Sequence, residues 1–232
     1  MHRGEEFKLV RSLAPFSSMS EPGFQKLARL SYLQTFPTDV VLIEQGRPAD
    51  MLHVVVDGTV ELFGEHAGNS STIALFRPVS VFILAAVVRD QPYLMSARTV
   101  EPSQLVLIPS QLIQELMEED HAFALAMIAE LAKGFRTMVT SIKNLKLRGT
   151  QQRVGAYLLV ERERHGSLDR FELAYDKTLM ASLLGMTRES LSRAFNALRQ
   201  YGVRVRGREV IFDDAARLAA FAQPDPLIDH PN

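Results

Sequence analysis

"MTRESLSRAFNALRQYG", residues 186–202, decides how the rest of the chain is read. Leu191, Phe195 and Leu198 recur at i, i+4 and i+7, which makes one apolar stripe along a helix. Arg188, Glu189, Ser192, Arg193 and Asn196 fall on the other side. The preceding "DKTLMASLLG", residues 176–185, predicts a short helix from Lys177 to Leu184. Gly185 then supplies a tight turn, and Thr187 caps the second helix. Leu179, Met180, Leu183 and Leu184 are placed to pack on Leu191 and Phe195. "VRVRGREVIF", residues 203–212, follows as two short strands around Gly207. A capped helix, a glycine turn, an amphipathic second helix and a β-hairpin together read as a winged helix-turn-helix.

The polar face of that second helix suits double-stranded DNA. Arginine offers a two-pronged donor to guanine O6 and N7, and glutamate accepts from cytosine N4. Ser192 reaches a base edge, while Thr178 and Thr187 suit phosphate oxygens. Residues 186–210 hold six arginines against two glutamates, a local charge of +4 in a chain of net charge −1. That asymmetry favours a polyanion facing one surface rather than the whole protein.

Upstream, Ile128, Leu131, Phe135, Met138, Ile142 and Leu145 follow a 3-4-3-4-3 spacing. This seam, which Ala124 and His121 extend, predicts a long helix paired with its copy in a homodimer. Thr150 is expected to cap the helix that follows, with a hinge at Gly149. Between Val40 and Pro109 short β-rich runs recur, and Asp57-Gly58 reads as a hairpin turn. The expected architecture is α+β. A β-roll sensor domain with N-terminal helices covers 1–119, a dimerisation helix and hinge cover 120–148, and a winged helix-turn-helix covers 149–232. The tail "QPDPLIDHPN", residues 223–232, is expected to fray.

Composition narrows the chemistry. Apolar residues make up 47% of the chain, enough for a real core, yet no apolar run reaches the ~18 residues of a membrane span. The start of the chain lacks the pattern of a secretion signal, so a cytoplasmic protein is expected. There is no cysteine, which excludes disulfides, thiolate catalysis and cysteine-held iron–sulfur clusters. No paired carboxylates, nucleophile–base set or phosphate-cradling glycine loop stands out, so no enzyme is expected. The acidic run at 118–120 reads as a helix cap, and no metal-ligand set can be named.

With these pieces in place, the chain resembles the Crp/Fnr superfamily of bacterial transcription regulators. The resemblance is carried by "LIEQGRPADMLHVVVDGTVELF" (42–63), the seam helix and "GMTRESLSRAFNAL" (185–198). It implies a cyclic-nucleotide-binding-type β-roll, a dimerising helix and a DNA-reading winged helix. The family reads DNA through E-x-x-S-R or R-E-x-x-x-R. Glu189 and Arg193 match both, Ser192 matches the Fnr branch, and Arg188 matches the cyclic AMP receptor branch. RNA polymerase is a further partner if the protein activates. An effector would act by shifting the long helix and the hinge.

The resemblance also frames the effector. Cyclic AMP receptors hold the ribose with a Gly-Glu pair and the cyclic phosphate with an Arg-Ser pair. In "RPVSVFILAAVVRDQPYLMSARTV" (77–100) those positions carry Ile83-Leu84 and Gln91-Pro92. A buried phosphate would lack its cation, which argues against a cyclic nucleotide. An apolar cavity is expected instead, lined by Phe82, Ile83, Leu84, Tyr93, Leu94 and Met95. The same stretch resembles the nitric-oxide-responsive, denitrification-controlling branch (NnrR- and DNR-like proteins), which implies haem; His53 on a strand and His121 near the start of the long helix are the histidines available in the sensor, and neither is fixed as its ligand. The alternatives are another small ligand, a cyclic nucleotide after all, or a ligand-binding module that does not touch DNA.

Overall fold

Residues 32–109 form two four-stranded sheets packed as a β-roll, and the reasons lie in their turns. The structure is a computed structural model that describes residues 3–229. Its packing falls into two units, one up to Ala132 and one from Lys133. In the first unit, α1 (Arg3–Ser12), α2 (Ala14–Ser17) and α3 (Glu21–Leu30) precede the strands. The strands are β1 (Tyr32–Phe36), β2 (Val41–Ile43), β3 (Met51–Asp57), β4 (Val60–His66), β5 (Asn69–Phe76) and β6 (Ser80–Phe82). After α4 (Leu84–Arg89) come β7 (Ser96–Thr99), β8 (Ser103–Pro109), α5 (Ser110–Glu119) and α6 (His121–Leu147).

One sheet runs β1-β8-β3-β6 and the other β2-β7-β4-β5. The Asp57-Gly58 hairpin expected from sequence is therefore not formed. β3 and β4 belong to different sheets, and Gly58 is the corner where the chain crosses between them. Its φ is +83°, and a Cβ there would collide with Pro102 and Ser103. The true tight hairpin is β4–β5, where His66 faces Asn69 across Ala67 and Gly68. Both turn residues have positive φ (50° and 78°), the primed geometry that matches strand twist.

β3 is buried almost continuously instead of alternating, because α1, α4 and α5 also lie against it. Leu52, Val54, Val55, Leu105 and Ile108 form the centre of this core. Asp120 starts α6, accepting from the backbone of Phe123 at 3.1 Å and of Ser20 at 2.7 Å. The acidic run thus caps a helix, as its composition suggested. Phe123 and Met127 bury one side of α6 in the β-roll core, and Leu131 packs at its margin.

The second unit contains the rest of α6, then α7 (Thr150–Arg164), β9 (Arg170–Glu172), α8 (Lys177–Leu183) and α9 (Arg188–Leu198). A 3-10 turn (Arg199–Tyr201), β10 (Val203–Arg206), β11 (Glu209–Phe212), α10 (Ala215–Ala222) and α11 (Pro226–Asp229) complete it. Gly149, not Thr150, is the cap of α7. Its N–H donates to Gln152 Oε1 at 3.2 Å, and its φ of −66° suits any residue. The wing has a third strand, β9, that the sequence did not reveal. Leu191, Phe195 and Leu198 are buried with Met180, Leu184, Val154 and Leu158, so the apolar stripe seats α9 on its domain. Of the tail expected to fray, residues 223–229 are instead bound by Arg148, and 230–232 lie outside the described residues.

Candidate nucleic-acid interface

Local capping builds the reading head. Asp176 Oδ1 accepts from the N–H groups of Thr178 and Leu179, each at 2.8 Å, and starts α8. Gly185 turns the chain with φ +63°, and a Cβ there would lie 2.8 Å from a Leu145 methyl of α6. Thr187 Oγ1 then accepts from Ser190 N at 3.2 Å and starts α9. The Thr187 hydroxyl is thereby committed to the cap, whereas the Thr178 side chain stays exposed.

The first two turns of α9 present Arg188, Glu189 and Arg193 to solvent, with Ser192 half-buried between them. Arg193 Nη2 donates to Ser190 Oγ at 2.9 Å, which lays the guanidinium along the start of the helix. The Glu189 carboxyl is held below the usual range by its own backbone N–H and by Thr187. The cations Arg188 and Arg193 add to this, so it is an acceptor at neutral pH. Asn196 is exposed one turn further along. Two wing arginines are tied down. Arg204 makes a two-pronged pair with Asp213 at 2.5 and 2.6 Å, and Arg208 donates to the Leu173 and Ala174 carbonyls at 2.8 Å. Arg206, beside Gly207, remains exposed at the tip.

The expected dimer seam lies open along α6. Ile128, Phe135, Met138, Ile142 and Leu145 are each 49–67% exposed, which is unusual for five large apolar side chains at heptad spacing. Only Leu131 is largely covered by its own domain.

The residues named for an effector cavity are distributed differently. Phe82, Leu84 and Tyr93 belong to the packed core, and Met95 borders it. Leu94 is 82% exposed and stands outside the core. The Tyr93 hydroxyl donates to the Met51 carbonyl at 3.0 Å, and burial pushes its pKa up to about 12. Ile83 enters α4 in the left-handed region with φ +65°. The backbone there has the conformation that favours glycine, but carries a strained β-branched residue. Gln91 and Pro92 are exposed. Of the two cations near these positions, Arg89 is exposed at the end of α4, and Arg98 is bound to the buried Glu61 at 2.7 Å and lies 4.8 Å from the Phe63 ring.

His53 is the unexpected residue of this region. It is 5% exposed, stacks on Phe82 at 5.2 Å, and its Nδ1 has no hydrogen-bond partner. Burial lowers its pKa to about 4, against the opposing pull of the Met51 carbonyl and Asp50. The unfolded chain therefore binds a proton near pH 6.5 that the folded chain refuses. Stability is full above pH 6.5 and falls as pH drops toward 4, by about 2 kcal/mol at pH 5. Urea midpoints at pH 7 and pH 5 should show this loss in the wild type and a much smaller one in His53→Phe. Equal losses in both would assign the acid sensitivity to other groups.

Comparison with known proteins meets this geometry at both ends of the chain. The profile of the cyclic nucleotide-binding domain matches residues 33–120, and that of the Crp-like helix-turn-helix domain matches residues 152–221. A solved structure from Ruegeria pomeroyi, assigned to cyclic nucleotide binding, is 30% identical, with 97% of this chain and 100% of that one covered at a TM-score of 0.61. The chain belongs to the Crp/Fnr family. The cyclic AMP receptor protein of Thermus thermophilus is 29% identical over 75% of this chain and 81% of its own. A structure from Eubacterium rectale assigned to Crp/Fnr regulators shares the fold at a TM-score of 0.73, with 14% identity, covering 91% and 98% of the two chains. The protein is thus a Crp/Fnr-type DNA-binding transcription regulator and not an enzyme. Among the described residues no helix is long and apolar enough to cross a membrane.

Proposed function

We propose that this Crp/Fnr regulator works as a homodimer that reads an inverted repeat in double-stranded DNA. The observation that carries the reading is the exposed face of α9, where Arg188, Glu189, Ser192 and Arg193 converge on one capped helix end. The helix enters the major groove with its first two turns. Arg188 and Arg193 take guanines, Glu189 takes a cytosine, and Thr178 lies toward the phosphates. The open seam of α6 joins two copies, which sets their reading heads one turn of DNA apart, about 34 Å. If the protein activates, RNA polymerase is its further partner. A genomic target places it in the cytoplasm. Full-length protein should shift a TTGAT- or TGTGA-like inverted repeat in a gel at a concentration that leaves scrambled DNA free. Equal binding to both would remove the sequence-specific reading.

For the effector, the described residues fit neither a cyclic phosphate nor an axially ligated haem. A cyclic phosphate requires a buried donor cluster. Leu84 offers none, Gln91 and Pro92 face solvent, and Arg98 is committed to Glu61. Of the candidate haem ligands, His53 is enclosed by the core and Tyr93 is bonded to Met51, while His121 is exposed at the start of α6. Nitric oxide sensed through haem in denitrification control has the branch resemblance as its support. The enclosed His53 and the exposed His121 weigh against it, and the regulator is read as responding to a small ligand of another kind. Millimolar cyclic AMP is expected to leave the melting temperature unchanged. A ligand at a hundred times its Kd would add about 2.7 kcal/mol and raise it by several degrees. The purified protein mixed with haem should show no Soret shift, and a shift abolished in His53→Phe would reinstate haem.

A further inference from the structure

The junction between α6 and α7 is clamped from a distant part of the chain. Arg148 and Asp229 form a two-pronged pair, Nη1 to Oδ1 at 2.6 Å and Nη2 to Oδ2 at 2.7 Å, with both side chains only 6% exposed. Nη2 also donates to the Gln223 carbonyl at 3.1 Å, and Nη1 to Asn144 Oδ1 at 3.3 Å. The Asp225 N–H donates to Asp229 Oδ2 at 2.7 Å, and Lys143 Nζ to the Leu227 carbonyl at 3.4 Å. Residues 223–229 thus form a strap over the end of α6. Gln223 turns the chain into it with φ +50°. On the other side of the junction, Arg153 Nη1 donates to the Leu145 and Arg148 carbonyls at 3.3 and 3.0 Å.

A buried charge pair of this geometry resists loosening, because parting it takes from each buried charge its oppositely charged partner. The glycine beside it has φ −66°, so its backbone needs no left-handed turn, and the hydrogen bonds of the strap are what hold the junction. The end of the proposed dimer helix and the reading head are consequently held at one angle within this unit. In a two-fold dimer that angle determines where the two α9 helices point and how far apart they stand. We propose that Arg148 and Asp229 are positioning residues. The strap fixes the reading head on α6 and so selects the spacing between half-sites that the dimer accepts. This rests on the dimer reading given above.

The test uses full-length protein and DNA libraries of two half-sites separated by spacers of graded length. One added base pair moves a half-site by about 3.4 Å and turns it by about 35°. The wild type should enrich one spacer. Asp229→Asn, which keeps shape and removes charge, and Arg148→Ala should lower its preference over neighbouring spacers about tenfold. Their base preferences within a half-site should stay as in the wild type, which a head that merely failed to fold would not preserve. Hydrogen exchange at residues 147–150 should accelerate in both variants. A wild type with a sharp spacer optimum that both variants keep overturns the strap proposal alone. A wild type that binds only single half-sites overturns the dimer reading, and the strap proposal with it.

Discussion

Aspartate at both Phe135 and Ile142 is expected to make the protein monomeric and to weaken binding to the inverted repeat by about three orders of magnitude. Phe135 is 67% exposed and Ile142 49%, and both occupy the same heptad position as Ile128. Across a two-fold axis each such residue meets its own copy. Burying a side chain of this size stabilises an interface by about 1.5–3 kcal/mol, so the wild-type pairs contribute strongly. Two aspartates per helix replace that gain with like charges facing each other. A monomer loses the second half-site as an intramolecular partner, which accounts for the drop in affinity. Sedimentation measures the first effect and fluorescence anisotropy on a full site measures the second. A double variant that sediments as a dimer would show that the stripe covers something else. Retained base preference on a single half-site would confirm that the reading head is intact.

Arg193→Ala should cost about 1–3 kcal/mol per half-site, hence about 2–6 kcal/mol for the dimer, and should relax preference at one base pair. The wild-type guanidinium rests on Ser190 Oγ at 2.9 Å, so its aim is partly set before DNA arrives. Alanine removes the two-pronged contact and leaves the helix, whose cap is made by Thr187 and whose seat is made by Leu191 and Phe195. The loss must therefore depend on sequence, large on the best site and small on sites altered at that pair. Uniform loss on all DNA would assign Arg193 to a phosphate. Glu189 next to it stays ionised and would reject a guanine in place of its cytosine.

Why these parts were legible in the sequence, and others were not, follows from the range of the forces involved. The helix-turn-helix is written in contacts three to four residues apart. Thr187 meets Ser190, Asp176 meets Leu179, and Gly185 makes its own turn. The α6 seam is legible for the same reason, since heptad spacing is local. The Asp57-Gly58 signal misleads because a glycine needed for a crossing at Pro102–Ser103 looks like one needed for a hairpin. His53 gave no sign of burial, since alternation fails in a strand covered on both faces. The clamp on residues 223–229 was invisible because Arg148 and Asp229 lie 81 positions apart. At Ile83 the backbone keeps a conformation that favours glycine, which composition alone cannot show.

The anchoring of Arg204 on Asp213 and of Arg208 on two carbonyls has a consequence for ionic strength. Counterions leave DNA only where a cation settles on a phosphate. Arg204, already neutralised by Asp213, releases few, whereas Arg208 on neutral carbonyls keeps its charge and loses only reach, so the formal +4 of residues 186–210 overstates the field that phosphates meet. Affinity should then fall more gently with added salt than a count of arginines implies. A larger share of it comes from base edges, which leaves the protein less prone to idle on random DNA in the crowded salt of a cell.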